Sequence, residues 1–262
     1  MKKAPVFFAA ALMSLFCLQA SDGKPQGRST VSQIPPGPSS PNVRIDGGFG
    51  KVPLQFIPNE GQVEGEAAFY VQGRDKTIFF EPRGLTFALA SKGAGQPGWA
   101  VKLDFVGANG TAGPESLERS DTVVSFFKGA PEDWKTGLRA STKIIYRDLW
   151  PGVDLVYSGT YDRMKYECVV RPGADPSRIR MAYRGAGSVR LTAGGRLAVD
   201  TPAGGFEDDV PVAWQDIDGT RRPVRASYAL ADAGEAQGRA YGFSVGDYDR
   251  SRALVLDPAV LV

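Results

Sequence analysis

The sequence predicts an all-β protein: one large or two packed β-sandwich-like units of many short antiparallel strands, with no long helix beyond an N-terminal leader. Three observations carry this. Short runs rich in β-branched and aromatic residues recur about every 8–12 residues, as in sandwiches. No stretch keeps helical spacing of its apolar residues for three turns. The 32 glycines suit a chain of tight hairpins, which need positive φ angles.

In chain order, the leader comes first. Lys2 and Lys3 precede an apolar run over 6–18, and Ala20 closes the segment ahead of Ser21, Asp22 and Gly23. That is the layout of a secretory signal peptide cleaved after Ala20, its apolar run too short to span a bilayer. Cys17 would serve as a lipid anchor, but bulky Leu15 and Phe16 disfavour acylation there. The expectation is export to the periplasm, cell surface or medium, without a transmembrane span in the mature chain. Residues 21–51 are rich in Ser, Pro and Gly around Pro35-Pro36-Gly37-Pro38 and read as a flexible linker. Residues 52–262 form the β-domain, either undivided or split into subdomains near 140–160.

Within that domain the first strand runs fall at 68–71, 77–80 and 85–89. Residues 101–106 alternate apolar and polar, the mark of a half-buried strand. Runs at 122–127, 144–146, 153–157 and 166–170 follow, then 179–183, 189–191, 197–199, 212–215, 226–230, 241–245 and 254–256. Gly194-Gly195 between two of these is the clearest hairpin. Pro131-Glu132-Asp133-Trp134-Lys135 offers a single helical turn, with proline at its start and acids behind it. Leu103-Asp104-Phe105-Val106-Gly107-Ala108 rhymes with Met181-Ala182-Tyr183-Arg184-Gly185-Ala186, as a duplication would.

Composition excludes several functions. The chain has 31 Lys+Arg and 29 Asp+Glu; the leader takes two lysines with it, leaving 29 of each sign. A neutral mature chain has no global field for nucleic acid or anionic lipid. There is no histidine, which removes Ser-His-Asp and Cys-His catalysis, His-ligated zinc and imidazole proton transfer. Of two cysteines only Cys168 survives leader removal, so no intramolecular disulfide forms. Its alternating surroundings make Cys168 an inward-facing strand residue rather than a reactive thiol.

Several segments together resemble a known family. Phe56-Ile57-Pro58-Asn59-Glu60-Gly61-Gln62 is similar to its opening F-x-x-N-x-G-Q, and Ser125-Phe126-Phe127-Lys128-Gly129 with Trp134-Lys135-Thr136 to its next segment. Tyr146-Arg147-Asp148-Leu149-Trp150-Pro151-Gly152-Val153-Asp154-Leu155-Val156-Tyr157 resembles its central motif. Arg171-Pro172-Gly173-Ala174-Asp175-Pro176, Gly246-Asp247-Tyr248-Asp249 and Val255-Leu256-Asp257-Pro258 match the rest in order. This looks like the N-terminal domain of unknown function that precedes SBBP-type β-propeller repeats in bacterial exported proteins. The resemblance implies a β-propeller or other envelope protein as partner, although the repeats themselves do not follow within these 262 residues. It implies no catalytic residue.

The motif residues themselves read as structural. Asn59 and Gly61 suit positive-φ positions, Gln62 a loop-amide partner, and Asp175 a turn bond ahead of Ile179. Asp154, set among apolar residues, needs a cation such as Arg163 or Lys165. For catalysis only a carboxylate pair drawn from Glu60, Asp154, Glu167 and Asp249 is left, and nothing in the sequence joins two of them. Asp216-Ile217-Asp218-Gly219 and Asp247-Tyr248-Asp249 space carboxylates as calcium loops do, without the terminal glutamate, and read as hairpin turns. No catalytic, cofactor-binding or metal residue is nominated. The expectation is a non-enzymatic structural or interaction module. The alternative is a carbohydrate-binding sandwich stacking sugars on Trp99, Trp134, Trp150 or Trp214, with Trp134 in the most polar setting.

Overall fold

The computed structural model describes residues 52–262 apart from 74–75, 91–97, 161–162, 233–238 and 262. The leader and linker expectations for 1–20 and 21–51 lie outside the described residues. Strands make up 62% of the structure, and no helix reaches seven residues, so the all-β reading holds. All described residues belong to one compact unit, Gly50–Val262.

One sheet of eight strands runs in the order β1 (Ile57–Pro58), β2 (Phe69–Gln72), β3 (Lys76–Glu81), β4 (Gly84–Leu89), β5 (Trp99–Phe105), β10 (Met181–Arg184), β17 (Arg239–Val245) and β16 (Ala226–Asp232). The other has eleven. Its edge hairpin is β6 (Pro114–Phe126) with β7 (Lys135–Trp150), followed by β8 (Val153–Thr160) and the central β9 (Arg163–Val170). Beyond β9 the sheet forks. The half of β9 at 168–170 pairs with β18 (Leu254–Asp257), which leads to β14 (Val212–Ile217) and β15 (Thr220–Val224). The half at 163–165 pairs with β19 (Ala259–Leu261), which leads to β13 (Gly204–Asp208), β12 (Leu197–Thr201) and β11 (Ser188–Leu191). Pro258 stands at the fork. It has no N–H to give to a ladder, while its carbonyl accepts a 3.2 Å bond from the Tyr166 N–H.

Period-two alternation builds the core. β3 and β9 bury every second side chain, and the inner faces of the two sheets meet in a cluster that includes Ile78, Phe80, Leu103, Leu155, Cys168 and Leu256. Aromatic rings bridge the layers: Phe80 to Tyr157 at 5.1 Å, Phe105 to Tyr146 at 5.2 Å and Phe87 to Phe206 at 5.0 Å. Burial of each such side chain contributes about 2–3 kcal/mol over exposure, and ring pairing adds about 0.5–1.5 kcal/mol. A second small cluster of Ile57, Tyr70 and Leu138, with Val124 and Phe126 packed against it, seats the distal half of the β6–β7 hairpin.

The structure refines several expectations. β6 and β7, at 13 and 16 residues, are longer than the runs at 122–127 and 144–146. The extra length of β6 is polar and exposed, so pairing with β7 rather than apolar alternation makes it a strand. Register shifts along the pair mark bulges, a common device on exposed edges. The helical segment is one 3₁₀ turn at Pro131–Asp133. Gly195, at φ 81°, closes the β11–β12 hairpin as expected. The two rhyming segments are neighbours: Leu103 opposes Tyr183 and Phe105 opposes Met181 in the β5–β10 ladder.

Candidate functional site

Three of the motif segments converge at one end of the forked sheet. A register break in the β7–β8 pair puts Asp148 at φ 49°, and its N–H donates to Asp154 Oδ1 at 2.7 Å. Asp148 Oδ1 in turn accepts from the Gly152 N–H at 2.9 Å and from the Arg171 guanidinium. Arg171 also lies 3.6 Å from Asp154. This corrects the partner expected for Asp154: Arg163 pairs with Asp209 at 2.9 Å and Lys165 with Asp257 at 3.0 Å. Asp154 opposes Val169 in the ladder, so the nearest cation is Arg171, just past the end of β9. Gly152 has φ 76°, and a Cβ there would lie 2.5 Å from Ala174 Cβ, so the motif glycine answers both to a turn and to a close approach.

The remaining motif bonds fall both within and between loops. Gly173 N–H donates to the Arg250 carbonyl at 2.8 Å, and Asp175 Oδ1 caps the 3₁₀ turn Pro176–Arg178 through the Ser177 N–H at 2.9 Å. Gln62 accepts from the Glu60 N–H at 2.7 Å and donates to the Pro58 carbonyl at 2.6 Å. Gly61 has φ 100°, as expected, but Asn59 does not take a positive φ. Its side chain organises the loop instead, donating to the carbonyls of Val63 and Ala67 at 2.9 and 2.8 Å and accepting from the N–H groups of Gly61 and Val63.

Where two of these loops meet, an open cleft of about 320 Å³ is lined by Asp175, Ser177, Phe243, Asp247, Tyr248 and Arg250. Its far wall is held by a residue the sequence reading did not single out. Gln215, buried on β14, donates to the Asp249 carbonyl at 2.8 Å and accepts from the Asp249 N–H at 2.8 Å. Longer contacts of 3.3 Å reach the carbonyls of Arg252 and Ala253.

The four carboxylates weighed for catalysis lie in different settings. Glu60 sits in the Asn59 loop and Asp154 binds Asp148 and Arg171. Asp249 accepts from Ser251, which lowers its pKa. Glu167 is pushed up by burial and then by the charge of Asp257. In the Asp216-Ile217-Asp218-Gly219 segment, Asp216 lies 3.9 Å from Arg221 and Asp218 3.7 Å from Arg252. Asp218 and Gly219, at φ 50° and 73°, form the two-residue turn joining β14 to β15.

The tryptophans divide. Trp150 and Trp214 are buried, the first donating to the Val106 carbonyl at 3.0 Å, the second covered by the Arg221 guanidinium at 4.1 Å. Trp134 is 42% exposed, as its polar setting suggested, and Trp99 is 39% exposed with its indole N–H on the Gly185 carbonyl. Trp134 meets Phe127, itself 66% exposed, edge to face at 5.1 Å and 89°. This aromatic pair lies in the connection at the tip of the β6–β7 hairpin.

A buried polar cluster lies between the two sheets. Asp208, fully buried at the end of β13, has its Oδ2 3.3 Å from the Tyr166 hydroxyl that donates to it, and no described group bonds its Oδ1. The Tyr241 hydroxyl lies 3.3 Å from that of Tyr166, and Tyr228 donates to the Asp209 carbonyl at 2.9 Å. Burial pushes the Asp208 carboxyl up to about 8. It pushes the Tyr166, Tyr183, Tyr228 and Tyr241 hydroxyls and the Cys168 thiol up as well. The acidic run Glu207-Asp208-Asp209 hid this residue, although Phe206 and Asp208 share strand parity and hence a face. Cys168, as expected, faces the core from β9.

Among the described residues no helix is long and apolar enough to cross a membrane. Neither the curated proteins nor the solved structures include a match to this chain. The model of one family, described as a domain of unknown function (DUF7948), matches residues 56–259, and the chain belongs to that family.

Proposed function

We propose that this protein is a non-catalytic module of the exported bacterial cell surface, structural or protein-interacting, which docks a β-propeller or another envelope protein through the tip of the β6–β7 hairpin. The exposed Phe127–Trp134 pair carries the reading. It sets an apolar corner at the end of an arm whose distal half is seated on Ile57 and Tyr70 through Leu138, Val124 and Phe126, and exposed aromatics of this kind are enriched at protein interfaces. The motif residues supply no competing chemistry, since Asn59, Gln62, Asp154, Asp175 and Asp249 are engaged in their own loops. Export rests on the leader at 1–20, and the propeller partner on the resemblance to the domain that precedes SBBP repeats.

A carbohydrate-binding sandwich is the second reading, favoured by the exposure of Trp99 and Trp134. Against it, rings at 89° offer one face and one edge rather than the flat platform a sugar stacks on. The full chain should bind a purified SBBP-type propeller array in calorimetry, and the Phe127→Ser/Trp134→Ser double variant should not. Equal binding by both proteins would refute the tip as the docking point. Thermal melts with soluble glycans decide the second reading: a glycan at a hundredfold its dissociation constant adds about 2.7 kcal/mol, roughly 5–10 °C here. Turnover of any glycan would overturn the non-catalytic reading.

A further inference from the structure

The fork of the large sheet and the buried Asp208 coincide. Asp208 is the β13 residue whose register partner on β19 is Val260. On the other side of β19, β9 pairs Met164 with Val260 and Lys165 with Ala259, and the Tyr166 N–H holds the Pro258 carbonyl at 3.2 Å. Asp208 therefore flanks β19 through its backbone, and Tyr166, whose hydroxyl bonds the buried carboxyl, holds the residue just before that strand. β19 is only three residues long, wedged between β13 and β9. A strand of three residues has few backbone bonds to break when it opens locally.

We propose that Asp208 is a proton-operated latch for β19: the protonated carboxyl keeps the terminal strand seated between β13 and β9, and ionisation favours its release. A fully buried carboxylate with one oxygen unbonded is costly, and opening the β13–β19 seam would bring that oxygen to water.

The surroundings leave Asp208 as the group that titrates. Tyr157 faces it from β8, Tyr166 from β9, Tyr183 from β10, Tyr228 from β16 and Tyr241 from β17, and burial holds all five neutral beyond the ordinary range of their kind. On β13's own continuation Asp209 adds negative charge, set against Arg163 at 2.9 Å and Arg196 at 3.4 Å. The sign follows from linkage. The seated state binds a proton that the released state gives up in the normal carboxylate range. Seating is therefore strongest at acid pH, weakens as pH rises from that range to about 8, and levels off above it.

The test is amide hydrogen exchange on the full chain, corrected for intrinsic rates, together with carbon-13 NMR of the Asp208 carboxyl. Protection of the β19 amides should fall by up to tenfold per pH unit across that window, while Ile78 and Val101 in the eight-stranded sheet keep theirs. Asp208→Asn should flatten the β19 profile. In the parent the carboxyl should titrate far above the normal carboxylate range, and Tyr166→Phe, by removing the bond that favours the ionised form, should move it higher still. That pair of titrations tests the latch even if Asp208→Asn fails to fold. A pH-independent β19, an equal loss of protection in both sheets, a persistent pH dependence in Asp208→Asn, or a normal carboxyl titration would each overturn the proposal.

Discussion

Replacing Gln215 with alanine should loosen the whole Gly246–Ala253 side of the cleft, because one buried amide anchors four of its backbone groups. The side chain is 2% exposed. It makes two good bonds to Asp249, each 2.8 Å, and shares its amide with the carbonyls of Arg252 and Ala253 at 3.3 Å. Two net hydrogen bonds contribute about 1 kcal/mol each, and a backbone group left without a partner costs about 1–3 kcal/mol where water cannot reach it. Asp249 itself is exposed, so water will satisfy part of the deficit, and the total comes to about 2–4 kcal/mol. For a domain of this size that lowers the melting temperature by roughly 4–16 °C. Urea unfolding followed by tryptophan fluorescence is the assay, since Trp150 and Trp214 are buried reporters. Gln215→Glu sharpens it: a carboxylate aimed at three carbonyls should be worse than alanine at neutral pH and recover in acid, where its O–H can donate. A Gln215→Ala chain within about 0.5 kcal/mol of the parent would mean that the loop stands without this anchor, and the reasoning fails.

Two further outcomes follow from the packing. Gly152→Ala combines a φ of 76° with a methyl 2.5 Å from Ala174 Cβ, and should cost about 2–3 kcal/mol in equilibrium unfolding. Adding Ala174→Gly should return only the steric part, because the backbone strain stays. The Cys168 thiol, buried on β9 and pushed up by that burial, should resist a thiol reagent in the native chain and react on unfolding. Native-state labelling at the unfolded rate would place β9 outside the core.

The sequence carried the fold class because β-structure writes itself locally. Alternation at 101–106 and 166–170 marks strands that face a core on one side, and Gly195 or Asp218-Gly219 mark turns whose φ angles few other residues tolerate. It carried the role of Gln62 and Asp175 for the same reason: their bonds reach four residues or fewer along the chain. The part of β6 at 114–121 escaped because a solvent-facing edge strand has no apolar period, and its strand character lies in β7.

The partner of Asp154, the anchor Gln215 and the buried Asp208 share a different physics. Arg171 meets Asp154 only because β8 and β9 fold back on each other, and Gln215 reaches Asp249 across 34 positions. Asp208 reads as one of three adjacent acids until β13 pairs with β12 and β19 and turns it into the tyrosine cluster. By itself the sequence determined the strands, the turns and the inward-facing Cys168, all fixed by backbone conformation and side-chain period. Only the tertiary structure decided which polar groups lost their water. Desolvation depends on what the other sheet places opposite, and no local pattern records that.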